Sequence, residues 1–341
     1  MSKPKSPSGR LSLAFVKPDG DPVRPRWRAR LWRVARWFLF IGVVVVVALT
    51  AASFGYNFST NDPAPRLSGL LMAPGGGFDT RYLEWGTTGT PIVLVPGAFE
   101  TADTFASLGP VLGKDHRVFA IDLTGTGYST ASPPYSASHL AAQLLAFLAA
   151  KGLTGADAPV LVGHSSGAAV VGLAAVTGGA QAVRGTVFLD GDATPISAPG
   201  LLGWLLTDPY RTSLLRLALS QDWLIRKLYS AQCGPSCPSL STAGVETWRL
   251  PLQQPGFADE VTYTLRHGIP SMTSAEFAAL RALPVPKLVV YGADDPQMSP
   301  ADAAATAGRI GAPSPVTIPG RHLTMISSPG QVAAAVGKIA A

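Results

Sequence analysis

Val160-Leu161-Val162-Gly163-His164-Ser165-Ser166-Gly167-Ala168-Ala169-Val170-Val171 is the stretch on which the fold turns. Its first part, Pro159 to Val162, is a short continuous apolar run, the pattern of a parallel strand buried on both faces. Its last part, Ser166 to Val176, is dominated by small residues and reads as a helix. Between them lies Gly163-His164-Ser165-Ser166-Gly167, a G-x-S-x-G sequence. A serine on so sharp a strand-to-helix turn needs strained backbone, and flanking glycines remove Cβ atoms that would collide with neighbouring elements. The helix N-terminus behind it favours negative charge developing beside Ser165. In a chain with 36 glycines the pentapeptide can arise by chance; the strand before it and the helix after it mark Ser165 as a nucleophile.

Working outward, the same alternation continues on both sides. Arg81 to Trp85, Pro91 to Val95, Arg117 to Ile121 and Gly185 to Leu189 read as strands, with helices over Ala102 to Leu112 and Ser136 to Lys151. From about 194 to 283 the alternation breaks into Leu- and Trp-bearing helical pieces interrupted by proline. It resumes with Lys287 to Tyr291, a helix from Pro300, Pro315 to Ile318 and a closing helix from Pro329. The pattern predicts an α/β fold, a doubly wound and mostly parallel sheet with an inserted helical cap.

A serine hydroxyl is a weak nucleophile until a base takes its proton, and the base needs a carboxylate to orient it. Lys287-Leu288-Val289-Val290-Tyr291-Gly292-Ala293-Asp294-Asp295-Pro296 is a strand delivering two carboxylates into a loop. Ile318-Pro319-Gly320-Arg321-His322-Leu323 places a histidine in the loop after the last strand. Both loops leave the same edge of a parallel sheet as Ser165. Asp190 and Asp192, just after the strand ending at Leu189, are the alternative acids, with a cap hinge as their other role.

Together these segments resemble the α/β-hydrolase superfamily, over residues from about 80 to 341. Beyond GHSSG, Asp122-Leu123-Thr124-Gly125-Thr126-Gly127-Tyr128-Ser129 is similar to its D-x-x-G-x-G-x-S loop, and Gly292 to Pro300 to its G-x-x-D-x-x-x-P acid loop, which selects Asp295 over Asp294. The stretch from Arg321 to Val336 resembles the histidine loop and terminal helix. The resemblance implies the order Ser165, Asp295, His322 for a catalytic triad. It also implies an oxyanion hole from the backbone N–H of Ser166 and of Ala98 or Phe99, in the loop Pro96-Gly97-Ala98-Phe99, where relatives usually carry His-Gly and this chain has Pro96. Asp122 is expected to anchor its loop, His164 to support the elbow, and His116, His139 and His267 to be ordinary surface or core histidines. Gly75 to Gly77 precede the opening strand and read as a turn.

The net charge of +6 is unevenly placed. Residues 1–36 carry ten Lys/Arg against Asp19 and Asp21, leaving the remainder at −2. The body therefore offers no basic face for nucleic acid. Trp37 to Phe58 then runs 22 residues without a charge, long enough to cross a bilayer. Trp27, Trp32 and Trp37 at one end and Tyr56 at the other suit interfacial belts, and the Lys/Arg excess orients the N-terminus to the cytoplasm and the body outside. A cleaved signal peptide followed by secretion is the alternative. In that oxidising setting Cys233 and Cys237 read as a local disulfide rather than zinc ligands.

The expected organisation is a basic cytoplasmic tail (1–36), a transmembrane anchor (37–58), a linker (59–79), an α/β-hydrolase core (80–193 and 284–341) and a helical cap (194–283). The expected chemistry is hydrolysis of a carboxylic ester or related acyl bond through an acyl-enzyme, with neither metal nor organic cofactor. Phe99, Trp204 and Trp223 are the candidate substrate contacts, with Trp248 also in an apolar pocket; a lipid-derived acyl ester is the preferred substrate class. A same-fold lyase, a cofactor-free peroxidase or oxygenase, and a catalytically silent binding module are the competing classes.

Overall fold

The computed structural model describes residues 26–60, 67–196 and 207–341. They fall into two compact units that part between Ala52 and Ser53. The first holds most of helix α1 (Arg26–Ser59), whose large apolar side chains from Leu31 to Leu49 are exposed. Its 22-residue uncharged run covers about 33 Å at the helical rise, so by length and composition it is a candidate membrane span. The helix begins at Arg26, inside the expected tail, because Arg, Ala, Leu and Val continue it without a breaker.

The second unit is built on one eight-stranded sheet: β1 (Leu71–Gly75), β2 (Phe78–Trp85), β3 (Pro91–Val95), β4 (Arg117–Ile121), β5 (Val160–His164), β6 (Gly185–Leu189), β7 (Lys287–Gly292) and β8 (Val316–Ile318), in the order β1-β2-β4-β3-β5-β6-β7-β8. The pairings β1–β2 and β2–β4 are antiparallel and the other five are parallel. Leu71–Gly75 lies inside the expected linker but is an edge strand, where Pro74 needs no ladder donor.

Helices α2 (Gly109–Leu112), α3 (Ala137–Ala150) and α4 (Gly167–Gly178) follow β3, β4 and β5. Between β6 and β7 come α5 (Tyr210–Leu219), α6 (Asp222–Cys233), α7 (Thr242–Arg249), α8 (Phe257–His267) and α9 (Ser274–Ala282). After β7 comes α10 (Pro300–Ile310), and after β8 come α11 (Thr324–Ser327) and α12 (Pro329–Ala340). The single helix expected over Ala102 to Leu112 is instead a 3₁₀ turn, Ala102–Phe105, and the one-turn α2. Pro110 explains the break, since it opens a helix but lacks the N–H to continue one.

The pleat explains the apolar runs. Val93 and Val95 of β3 join Phe119, Ile121 and Leu161 in one cluster, under α3, α4, α9 and α10. Ile92 and Leu94 join Val118, Ala120, Val160 and Val162 in another, under α2, α11 and α12. Both faces are covered, so neither alternate position can be polar. Helix α9 falls within the expected cap, yet Phe277 and Leu280 bury into the first cluster against the sheet-covering layer. At least this last segment of the insertion packs as core.

The chain leaves β3 to β4 on one side and later returns to β5 on the other, so β3 and β5 are neighbours at the point where strand order reverses. Loops leaving the carboxyl ends of such strands open a crevice, the usual place for a ligand in sheets of this kind.

Candidate functional site

Ser165 occupies the turn between β5 and α4 with φ of 50°, in the left-handed region a side chain rarely adopts. Its N–H donates to the Leu189 carbonyl at 2.9 Å, tying the turn to β6. The glycines around it are demanded by crowding. A Cβ on Gly163 would stand 2.3 Å from the Gly167 carbonyl oxygen, and one on Gly167 would stand 2.5 Å from that of Pro96.

The loops after β7 and β8 reach the same point. His322 Nε2 lies 3.0 Å from Ser165 Oγ, and His322 Nδ1 lies 2.9 Å from Asp295 Oδ2. A carboxylate only accepts, so Nδ1 carries the proton, and Nε2 accepts from the serine hydroxyl. The Asp295 side chain is fully buried, and its other oxygen accepts from the Gln297 N–H at 2.7 Å. Asp294 is exposed and has no part in the chain of bonds. The three side chains predicted from sequence are thus brought together in one hydrogen-bonded line.

Asp190 is placed differently from an acid partner. It sits one residue beyond β6, buried, with one oxygen accepting from the Gly292 N–H at 2.8 Å and the other from the N–H and hydroxyl of Thr324. It therefore ties the acid loop to the histidine loop. Burial raises its carboxyl to about 6, against the opposing pull of His164. Asp192 instead accepts from Thr194 in its own turn. Asp122, buried, accepts from Arg81 and from the N–H groups of Ala102 and Tyr128, so it fastens the loops around β2 and β4.

The loop after β3 carries the second half of the site. Phe99 has φ of 63°, another left-handed outlier, and a Cβ on Gly97 would come within 2.8 Å of Ser165 Cβ. Among the described residues the backbone N–H groups of Ala98, Phe99 and Ser166 donate to no protein group, leaving them available to an oxygen beside Ser165. Glu100 fixes this loop. Its carboxylate accepts from the Gly97 N–H at 3.0 Å and from His164 Nδ1 at 2.7 Å. His164 Nε2 is 2.8 Å from the His322 carbonyl oxygen. Both partners of the ring are acceptors, so both ring nitrogens carry protons and His164 is a buried imidazolium. Burial alone would lower its pKa, but the Glu100 charge and hydrogen bond raise it to about 9. Burial likewise disfavours the Glu100 anion, and the His164 charge overrides it, lowering that carboxyl below its ordinary value.

Glu100 was not singled out by sequence reasoning. The available signal was an acid five residues beyond an apolar strand, in the very loop facing a buried motif histidine.

A cavity of about 280 Å³ opens beside the loop. Ala98, Phe99 and Leu323 form its floor, and Leu219, Leu224, Ile225, Leu228, Tyr229 and Trp248 its cap side. The Phe99 ring packs edge-on against Phe257 at 5.7 Å, and Tyr229 against Trp248 at 5.5 Å. Trp223 is 61% exposed and is not among the residues lining this cavity. It lies one residue from Leu224, about 100° round the helix, which turns it outward. Trp204 lies outside the described residues. Cys233 and Cys237 are joined by a disulfide at the end of α6.

The profile of the Alpha/beta hydrolase family matches residues 92–335. The chain belongs to this family. Over 144 residues the chain is 32% identical to N-formylmaleamate deformylase of Pseudomonas putida, covering 42% of this chain and 51% of that one. The chain spans about half the length of the curated relative it matches. Among solved structures, the chain is similar to a thermophilic esterase from Thermogutta terrifontis, with TM-score 0.63, 22% identity, and coverage of 80% of this chain and 97% of the esterase. It is also similar to a membrane phospholipase A described as a bacterial virulence factor, with TM-score 0.61, 19% identity, and coverage of 91% and 95%. At these identities the structural likeness speaks for the fold alone.

Proposed function

We propose that this hydrolase is anchored in a membrane and cleaves a carboxylic ester or related acyl bond, with Ser165 as nucleophile, His322 as base and Asp295 as orienting acid. The observation that carries the reading is the unbroken line from Ser165 Oγ through His322 to the buried Asp295, at 3.0 and 2.9 Å. In the first step Ser165 Oγ attacks the acyl carbon while its proton passes to His322 Nε2, and Asp295 stabilises the resulting imidazolium. The carbonyl oxygen, now negative, is held by the N–H of Ser166 with that of Ala98 or Phe99. His322 then protonates the leaving alcohol. Water, giving its proton to His322, attacks the acyl-enzyme, and the acid departs with Ser165 restored. The apolar walls of the cavity favour an acyl chain over a charged substrate.

Anchoring rests on the length and all-round apolarity of α1. Basic residues before the apolar run support a cytoplasmic N-terminus and an extracytoplasmic body.

The deciding experiment compares wild type with Ser165→Ala for labelling by a fluorophosphonate and for turnover of esters of graded chain length. Formamides belong in the same panel because a deformylase is among the relatives. Labelling of wild type alone, with activity reduced by at least about 10³-fold in the variant, is expected. Equal ester hydrolysis by both proteins would overturn the reading.

A further inference from the structure

The cap carries an apolar face whose place in the chain indicates what covers it. Seven large apolar side chains outside α1 are exposed among the described residues, and four of them, Leu214, Leu217, Trp223 and Leu228, lie on α5 and α6. They are more than half exposed, at 52, 51, 61 and 60%. Leu214 and Leu217 are three residues apart and share one side of α5. On α6, Arg226 and Lys227 directly precede Leu228 in sequence.

Helix α5 is also bound to the end of the apolar run. Residues from Ser53 onward belong to the same compact unit as the cap. Within that unit the Asn57 side chain donates to the Pro209 carbonyl at 2.9 Å and accepts from the Ser213 hydroxyl at 2.9 Å. Arg216 donates to the Asn57 carbonyl at 2.5 Å and to the Thr60 hydroxyl at 3.1 Å. The uncharged run ends at Phe58, so α5 is fastened to the very residues at which that run stops. Ser213 and Arg216 hold this joint, and their immediate neighbours Leu214 and Leu217 face outward. Leu228 has a double position, exposed on α6 and lining the cavity beside the oxyanion loop.

We infer that the α5–α6 face of the cap lies in the headgroup region of the bilayer that α1 crosses, and that the cavity draws its acyl substrate from that bilayer through the opening at Leu228. The inference rests on the anchor reading given above. Apolar side chains at the acyl boundary, with cations among the headgroups, are the composition of an interfacial helix. A chain thus placed takes amphiphilic esters already concentrated in the leaflet, so the substrate class is a bilayer-resident acyl lipid rather than a freely dissolved ester.

The test uses the full chain reconstituted in vesicles of phosphatidylcholine with a minor share of phosphatidylglycerol. Both native cysteines are in the disulfide, so Leu217→Cys supplies one free thiol for an environment-sensitive dye, and Ala305→Cys on α10 serves as the control. Blue-shifted emission at 217, with water-like emission at 305, is expected. Leu214→Gln combined with Leu217→Gln is expected to lower turnover of a bilayer-embedded ester about tenfold, while turnover of a soluble short-chain ester stays within about twofold. If the protein resists alkaline extraction yet both dyes report water and the double variant turns over both esters as wild type does, the inference is overturned and the anchor stands. If alkaline extraction releases the protein from vesicles, anchor and inference fall together.

Discussion

Replacing Glu100 by Gln keeps the shape of the side chain and removes only its charge, which makes it a sharp test of the pair it forms with His164. The His164 pKa moves from 6.5 to about 9 on folding. That shift corresponds to about 3 kcal/mol in favour of the folded protonated form, within the range for removing one partner of a buried ion pair. The direction with pH follows from the sign. A raised folded pKa stabilises fully below the unfolded value of 6.5 and is lost as pH rises through about 9. The lowered Glu100 carboxyl acts in the opposite sense, contributing above its ordinary 4.5 and failing only as acid protonates it in the folded protein. Wild type should therefore hold this increment from about pH 5 to 6.5 and shed it by pH 10, whereas Glu100→Gln should lack it throughout. Denaturant titrations of both proteins across pH 5 to 10 measure this directly. In the variant His164 becomes neutral, can donate through one nitrogen only, and releases either the oxyanion loop or the His322 carbonyl. Ester turnover should fall about tenfold in kcat with KM little changed, and Glu100→Asp should recover part of it. A loss below about 1 kcal/mol at pH 6, or a variant whose stability still declines between pH 7 and 10 in parallel with wild type, would refute the reasoning.

Asp295→Asn should leave the fold intact and reduce kcat by three to four orders of magnitude, about 10⁴-fold, by releasing the tautomer that points Nε2 at Ser165; pre-steady-state acylation rates measure it. Gly97→Ala should lower kcat about 10²-fold with little change in melting temperature, because the added Cβ meets Ser165 Cβ at 2.8 Å and moves the oxyanion donors. Cys233→Ser with Cys237→Ser should cost about 2 kcal/mol of stability, as expected for the short loop that this disulfide closes; denaturant midpoints of oxidised, reduced and doubly substituted protein check it.

Much of the molecule could be read from the chain. The runs Ile92 to Val95 and Val160 to Val162 are apolar at every position because both sheet faces are covered, so strand type and parallel pairing follow from composition alone. Ser165, Asp295 and His322 lie in the loops after β5, β7 and β8, and their order and the choice of Asp295 came from the likeness to the family's motifs. What escaped was decided by which way a side chain points. Trp223 and Leu224 are adjacent in sequence but look in different directions, and Leu224 with Trp248 lines the cavity, which aromatic content alone could not decide. Leu71 to Gly75 read as linker because Pro74 and its glycines weaken a strand everywhere except at an edge. Glu100 was silent because its partners, Gly97 and His164, meet only where β3 and β5 become neighbours.

The tie at Asp190 has a consequence for how such a chain can change. Its amide and carboxylate bond Val290 and Gly292 across the two ends of the long excursion between β6 and β7, so the base of that excursion is closed independently of what it contains. With α9 kept for its place in the core, the earlier part of an excursion stapled at its root can be exchanged as a cassette. Lineages, or engineers, can rebuild the roof over the chemistry and alter what is admitted, while the spacing of the reacting groups beneath is left undisturbed.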